Sequence, residues 1–184
     1  MRVISGSAKG HPLNVPKGSA VRPTTGRVKE GIFSSIQQII HSSIVVDLFA
    51  GSGGLGIECL SRNAEHTYFV EWSVDHVRCI QSNLEKTKLY DNATIIQRDV
   101  NSAILWLYKN KVKANLIFMD PPYEKELITS TLELLARYDI LTNDGIIVAE
   151  HKKSEIPTKE MGEMILFKQK KYGDIIVSYY RKGE

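Results

Sequence analysis

The chain has 184 residues, 42% of them hydrophobic and 24% charged, with a formal net charge of +3; this suits one domain with enough apolar material for a core. No run approaches the roughly 20 apolar residues that span a bilayer, and no hydrophobic leader stands at the start, so membrane and secreted classes are set aside and the cytoplasm is expected. Cys59 and Cys79 sit among helix-type apolar neighbours and read as small core residues, not as a disulfide or metal pair.

In chain order, Arg2-Val3-Ile4 and Pro12–Val15 are short extended segments around a turn between Gly6 and Gly10, which predicts a small hairpin. Pro23 disfavours helix at Arg22, and Thr24 or Thr25 offers a cap for a new helix. Val28, Ile32, Phe33, Ile36 and Ile40 then recur at helical spacing, so an amphipathic helix is expected from Gly26 to His41. Residues 1–25 are thus a hairpin extension, not an independent domain, on a main domain of 26–184.

Beyond this helix, strands and helices alternate. Strands are expected at 44–49, 67–71, 94–98, 115–120 and 145–150. Helices are expected at 55–62, around Val74, Val77, Ile80 and Leu84, at 103–107 and at 127–136. Near-continuous apolar strands alternating with helices predict a parallel sheet covered on both faces. Segments 164–170 and 175–180 flank Tyr172-Gly173-Asp174 and predict an antiparallel hairpin at one edge. The expected fold is α/β, a doubly wound and mostly parallel seven-stranded sheet with an antiparallel edge, plus the N-terminal hairpin.

Charge is unevenly spread. Residues 1–30 hold Arg2, Lys9, Lys17, Arg22, Arg27 and Lys29 against Glu30 alone, and residues 151–172 hold six lysines against three glutamates. The middle of the chain is net acidic. Clustered cations gain affinity for polyanions by displacing counterions from phosphates, although a solvated surface gives the same count.

Ligands of a doubly wound sheet bind at the carboxyl ends of its strands. Here four consecutive expected strands end in acids: Asp47, Glu71, Asp99 and Asp120. Carboxylates at crowded strand ends need cationic or hydrogen-bonding partners, and a shared polar ligand supplies them. Gly51-Ser52-Gly53-Gly54-Leu55-Gly56 matches the G-x-G-x-x-G fingerprint, and Glu71 comes twenty residues after Gly51. By itself that fits a dinucleotide or any other ribose-bearing cofactor. Asp47 opposes a pyrophosphate at the helix start but favours a cation. S-adenosylmethionine, which carries an ammonium and a sulfonium and no phosphate, is the better fit. His41, His66, His76 and His151 lack metal-ligand spacing, and no metal is expected.

Asp120-Pro121-Pro122-Tyr123 suits chemistry on an exocyclic base amine. The lone pair of such an amine is delocalised into the ring, and two acceptors on its N–H bonds turn it outward. Asp120 and the carbonyl of Pro121 supply two acceptors on a rigid backbone, and the carboxylate stands ready to take a proton. Tyr123 offers a face for a base taken out of its stack.

Asp47 through Gly56, Glu71, Asp99 and Asp120–Tyr123 together resemble, in order and spacing, the motif series of Rossmann-like class I methyltransferases. That resemblance implies that Gly51 and Gly53 admit the methionine moiety and that Asp47 holds its amino group. It further implies that Glu71 takes the ribose hydroxyls and Asp99 the adenine amino group. Arg2–Gly6, Lys9-Gly10, Leu13, Pro16, Gly18, Arg22–Glu30 and Ile32-Phe33 resemble the N-terminal signature of the bacterial 16S ribosomal RNA guanine-N2-methyltransferases, type D.

The implied activity is methyl transfer from S-adenosylmethionine, leaving S-adenosylhomocysteine, to the N2 amine of a guanine in small-subunit ribosomal RNA, free or in an assembling particle. Asp120, Pro121 and Tyr123 are the implied catalytic residues. Lys9, Arg22 and Arg27 would grip RNA, with His11 on the same face. Adenine-N6 methylation of RNA or DNA, and a non-catalytic RNA- or nucleotide-binding module, remain the alternatives. A DNA enzyme would normally carry a recognition domain, for which the chain has no surplus residues.

Overall fold

A computed structural model describes residues 1–16, 26–122, 127–155 and 158–183. Its first helix, α1 (Gly26–Ile40), buries Val28, Ile32, Phe33, Ile36 and Ile40 along one stripe. The Phe33 ring stacks at a tilt, 6.1 Å from Phe118 in the sheet. Then come β1 (Ile44–Asp47), α2 (Gly54–Ser61), β2 (His66–Val70), α3 (Val74–Thr87), β3 (Ala93–Ile96), α4 (Val100–Lys109), β4 (Ala114–Met119) and α5 (Leu127–Arg137). The chain closes with β5 (Leu141–Lys152), β6 (Glu160–Met161), β7 (Met164–Tyr172) and β8 (Ile175–Lys182).

All strands join one sheet in the order β3-β2-β1-β4-β5-β8-β7-β6. β3, β2, β1, β4 and β5 are parallel, and β8, β7 and β6 continue antiparallel. Among the described residues the sheet therefore has eight strands where the sequence predicts seven. The extra one, β6, spans two residues and pairs only with Met164 and Ile165, too short to leave a period-two pattern. β5 also starts four residues early, because Leu141 pairs with Ala114 before a register shift.

Two apolar layers cover the sheet. One holds residues of α1, α2 and α3 against Val45, Leu116, Phe118 and Val148; the other holds residues of α4 and α5 against Val46, Ile117, Met119 and Ile147. Adjacent strand residues thus feed opposite layers, as the near-continuous apolar runs require. Tyr179 and Tyr180 are buried, one in each layer, as expected for core residues. Cys59 is buried and Cys79 half-buried, and both are free thiols. Among the described residues no helix is long and apolar enough to cross a membrane.

Candidate active site

The carboxyl ends of β1 to β4 share one rim, and the strand order reverses between β1 and β4. Connections leave this point to opposite faces, which opens a crevice there. Asp47 ends β1, level with Phe69 and Phe118, and is 1% exposed. Its Oδ2 accepts the Gly56 N–H at 3.3 Å, while Oδ1 has no hydrogen-bond partner among the described residues. Burial pushes this carboxyl up to about 7, against the Gly56 amide, with Glu71 adding to the rise.

Glu71 comes directly after β2 and is also buried. Its Oε2 accepts the Gly51 N–H at 3.0 Å and lies 3.4 Å from Nδ1 of His76, and its Oε1 accepts the Ser73 N–H at 2.9 Å. The acid is therefore built into the glycine loop. Gly53 caps α2 at φ +80, a left-handed conformation that glycine adopts without strain. A Cβ on Gly51 would meet nothing within 4 Å, so that side of the loop is open. A Cβ on Gly56 would stand 2.3 Å from Cε1 of Phe69, so α2 packs this close to β2 only with glycine.

Asp99 caps α4, accepting the Ser102 N–H at 2.9 Å and the Ser102 hydroxyl at 2.7 Å. These donors hold its carboxyl below the usual range, and the residue is exposed. Its remaining lone pairs stay available to another donor. Asp120 comes directly after β4 and is half-buried, Pro121 is buried and Pro122 exposed. Leu48 donates its N–H to Phe118 O at 3.1 Å, so β1 and β4 stay joined to within two residues of Asp120. The rim thus gathers Asp47, Gly51, Gly53, Glu71 and Asp120, with Asp99 at its outer end beyond β3. Tyr123 and Arg22 lie outside the described residues. Lys9 and Arg27 are exposed, Lys9 in the Gly6–Gly10 turn and Arg27 at the start of α1. An orphaned buried carboxylate oxygen, a second acid and an open loop suit a cationic ligand and oppose a phosphate.

Several residues at this site carry no motif in the sequence. Trp72, next to Glu71, is 76% exposed and presents a flat apolar surface at the rim; its position directly after a strand-end acid was the available signal. Arg2 and Pro12 form a single antiparallel bridge, and this N-terminal segment is fastened from below. Glu58 of α2 accepts the N–H groups of Ile4 at 2.8 Å and Ser5 at 2.9 Å, and pairs with Lys29 and Arg62, each at 2.9 Å. Lys29 also donates to Arg2 O at 3.4 Å. A lone acid in an otherwise apolar helix was the signal for Glu58.

Asn83 of α3 left no such signal. Its Oδ1 accepts the Asn14 N–H at 2.8 Å, and its Nδ2 donates to Asn14 O at 3.0 Å and Ser52 O at 2.9 Å. One buried amide therefore joins the N-terminal segment to the glycine loop. Asn83→Ala is expected to cost about 1–3 kcal/mol, since it strands buried backbone groups. Urea unfolding measures the loss, and amide exchange should quicken first at Asn14.

Known proteins share both the sequence and the fold. A family model described as "Conserved hypothetical protein 95" matches residues 1–181. The chain is 39% identical over 182 residues to "Putative rRNA methyltransferase YlbH" of Bacillus subtilis, covering 99% of both. It is 30% identical over 183 residues to "Ribosomal RNA small subunit methyltransferase D" of Escherichia coli, covering 99% of this chain and 90% of that one. The solved structure "Putative methyltransferase yhhF from Escherichia coli" superposes with a TM-score of 0.86 at 30% identity, over 99% of this chain and 97% of that one.

Proposed function

The chain belongs to the small-subunit ribosomal RNA methyltransferase D family of class I methyltransferases, and from that premise we propose that it methylates the exocyclic N2 amine of a guanine in small-subunit (16S) ribosomal RNA. The observation that carries this reading is the position of Asp120 and buried Pro121, directly after β4 and beside the Asp47 end of β1. S-adenosylmethionine, when bound, supplies a methyl group on a sulfonium that leaves as S-adenosylhomocysteine.

The residues divide the work. Gly51 leaves backbone room for the donor's methionine end, Gly53 turns the loop into α2 at its positive φ with its Cβ side against Ile57, and the orphaned oxygen of Asp47 fits the donor's ammonium. Glu71 faces the ribose hydroxyls and Asp99 the adenine amine, with Trp72 offering the ring a stacking surface. Asp120 and the Pro121 carbonyl accept the two N–H bonds of the guanine amine, and Asp120 takes a proton as the nitrogen gains its methyl. Tyr123 stacks the extruded base. Lys9, Arg22 and Arg27 hold RNA phosphates, and the work takes place in the cytoplasm on free RNA or an assembling particle.

The test is transfer of labelled methyl to small-subunit RNA and particles that lack the modification, with mass analysis of the nucleosides afterwards. N2-methylguanosine is expected; N6-methyladenosine, or no transfer to RNA, overturns the reading.

Asp47 adds a pH signature. Its folded pKa, about 7, stands above its ordinary 3.8. The folded state then holds a proton that the unfolded state has lost, so stability from this group falls as pH rises from about 4 to about 7 and is level above. A cationic donor prefers the ionised form, so donor affinity should rise about tenfold per pH unit up to about 7. Asp47→Asn is expected to flatten the stability profile and weaken donor binding, both readable by calorimetry across pH.

A further inference from the structure

A basic surface stands on the rim beyond the crevice. β8 runs antiparallel to β5 with Ile175 opposite Lys152, so the Gly173–Asp174 turn lies at the same edge as the carboxyl ends of β1 and β4. Lys170, Lys171 and Tyr172, the last residues of β7, reach that edge, and Lys153 just past β5 donates its N–H to Asp174 O at 2.8 Å. A Cβ on Gly31 would stand 2.0 Å from the Tyr172 hydroxyl, so a bare glycine lets this tyrosine rest on α1. Arg27 projects one turn before Gly31, at the start of the same helix. The hairpin tip is therefore pinned against α1, with Lys170 and Lys171 at the end of β7, Lys153 just past β5 and Arg27 at the helix start.

Lys153, Lys171 and Arg27 are exposed and Lys170 is half-buried. None of the four has a carboxylate within ion-pair distance among the described residues. Asp174 is the acid in the turn itself. Uncompensated like charges repel one another unless a polyanion neutralises them. At about 4.8 Å per strand, β7 lies about 14 Å from β4. A polynucleotide whose base enters the Asp120 crevice carries further backbone phosphates across that distance.

We propose that the β7–β8 tip, through Lys153, Lys170 and Lys171 with Arg27, is a second grip on the phosphate backbone of the RNA whose base enters the crevice. This rests on the proposed RNA substrate and extends its contacts to the far end of the chain. Lysines also guard open sheet edges against pairing with another chain, and β7 beyond Leu166, whose N–H donates to Lys159 O at 2.8 Å, has no outer strand partner among the described residues. Experiment separates the two roles.

The variant carries Lys153→Gln, Lys170→Gln and Lys171→Gln, and a control carries Lys109→Gln and Lys111→Gln, exposed at the opposite end of the strands. RNA affinity is measured against salt, and methyl transfer against RNA concentration. The triple variant is expected to lower the slope of log affinity against log salt by roughly 2, at about 0.7–0.9 per phosphate contact. The loss should fall on KM, about tenfold, and not on kcat. Arginine at the same three positions should restore the slope, and the control should match wild type. If wild type transfers to RNA yet the triple variant keeps its KM and slope, or the control loses as much, the second grip is refuted. Aggregation with RNA affinity intact also refutes it and assigns the lysines to edge protection. No transfer to RNA by wild type defeats the RNA reading itself.

Discussion

Asp120→Ala is expected to slow methyl transfer roughly 10²- to 10⁴-fold while donor affinity stays close to wild type. The size comes from removing both a positioned acceptor and a proton acceptor, each of which acts only as the amine becomes a nucleophile. Asp120→Asn keeps one acceptor on the amine but cannot take its proton, so it should fall between wild type and alanine. Single-turnover transfer gives the rate, and calorimetry with S-adenosylmethionine gives the affinity. A variant that loses both in equal measure would assign Asp120 to donor binding and leave the amine without its proposed holder.

The second large effect concerns stability. Glu58 is fully buried and Lys29 is 2% exposed. Burial raises the Glu58 carboxyl, but Lys29, the Ile4 N–H and Arg62 outweigh it and hold it below the ordinary value. Lys29 has one carboxylate against its own burial, so its ammonium is lowered. Glu58→Ala removes the partner and strands that ammonium, together with two backbone N–H groups. The expected cost is about 3–5 kcal/mol, a large share of the 5–15 kcal/mol typical of a domain. Lys29→Met with Glu58→Leu should recover the part owed to the stranded ammonium, since an apolar pair replaces buried ions at little loss, but not the part owed to the Ile4 and Ser5 N–H groups, for which leucine offers no acceptor. Acid has the same target. The stabilisation from a depressed carboxyl is present above its unfolded value, 4.5, and disappears as pH falls through the folded one. Urea midpoints for wild type should fall below about pH 4.5, and those of Glu58→Ala should fall less.

Much of this was legible in the residues because the relevant physics is local. The α1 stripe, the apolar strands and the acids at their ends are readable from periodicity and position, and they place Asp47, Glu71, Asp99 and Asp120 on one rim. Sequence could not show that Glu71 spends its oxygens on Gly51 and Ser73, or that Asp99 is occupied by Ser102, since both depend on side-chain geometry. Asn83 and Asn14 are 69 residues apart, and no periodic signal links positions that meet only after the sheet has closed. β6 was missed for the opposite reason, being too brief to repeat anything.

The fastening of the N-terminal segment also sets an order of events during synthesis. Val3 and Leu13 are core residues, yet their segment is held by Glu58, 53 or 54 residues later, and by Asn83 later still. This segment therefore finds its place only after elements that are synthesised later. Until α3 has emerged, this apolar, cationic stretch has no dock, and it is then open to chaperones and to nearby ribosomal phosphates.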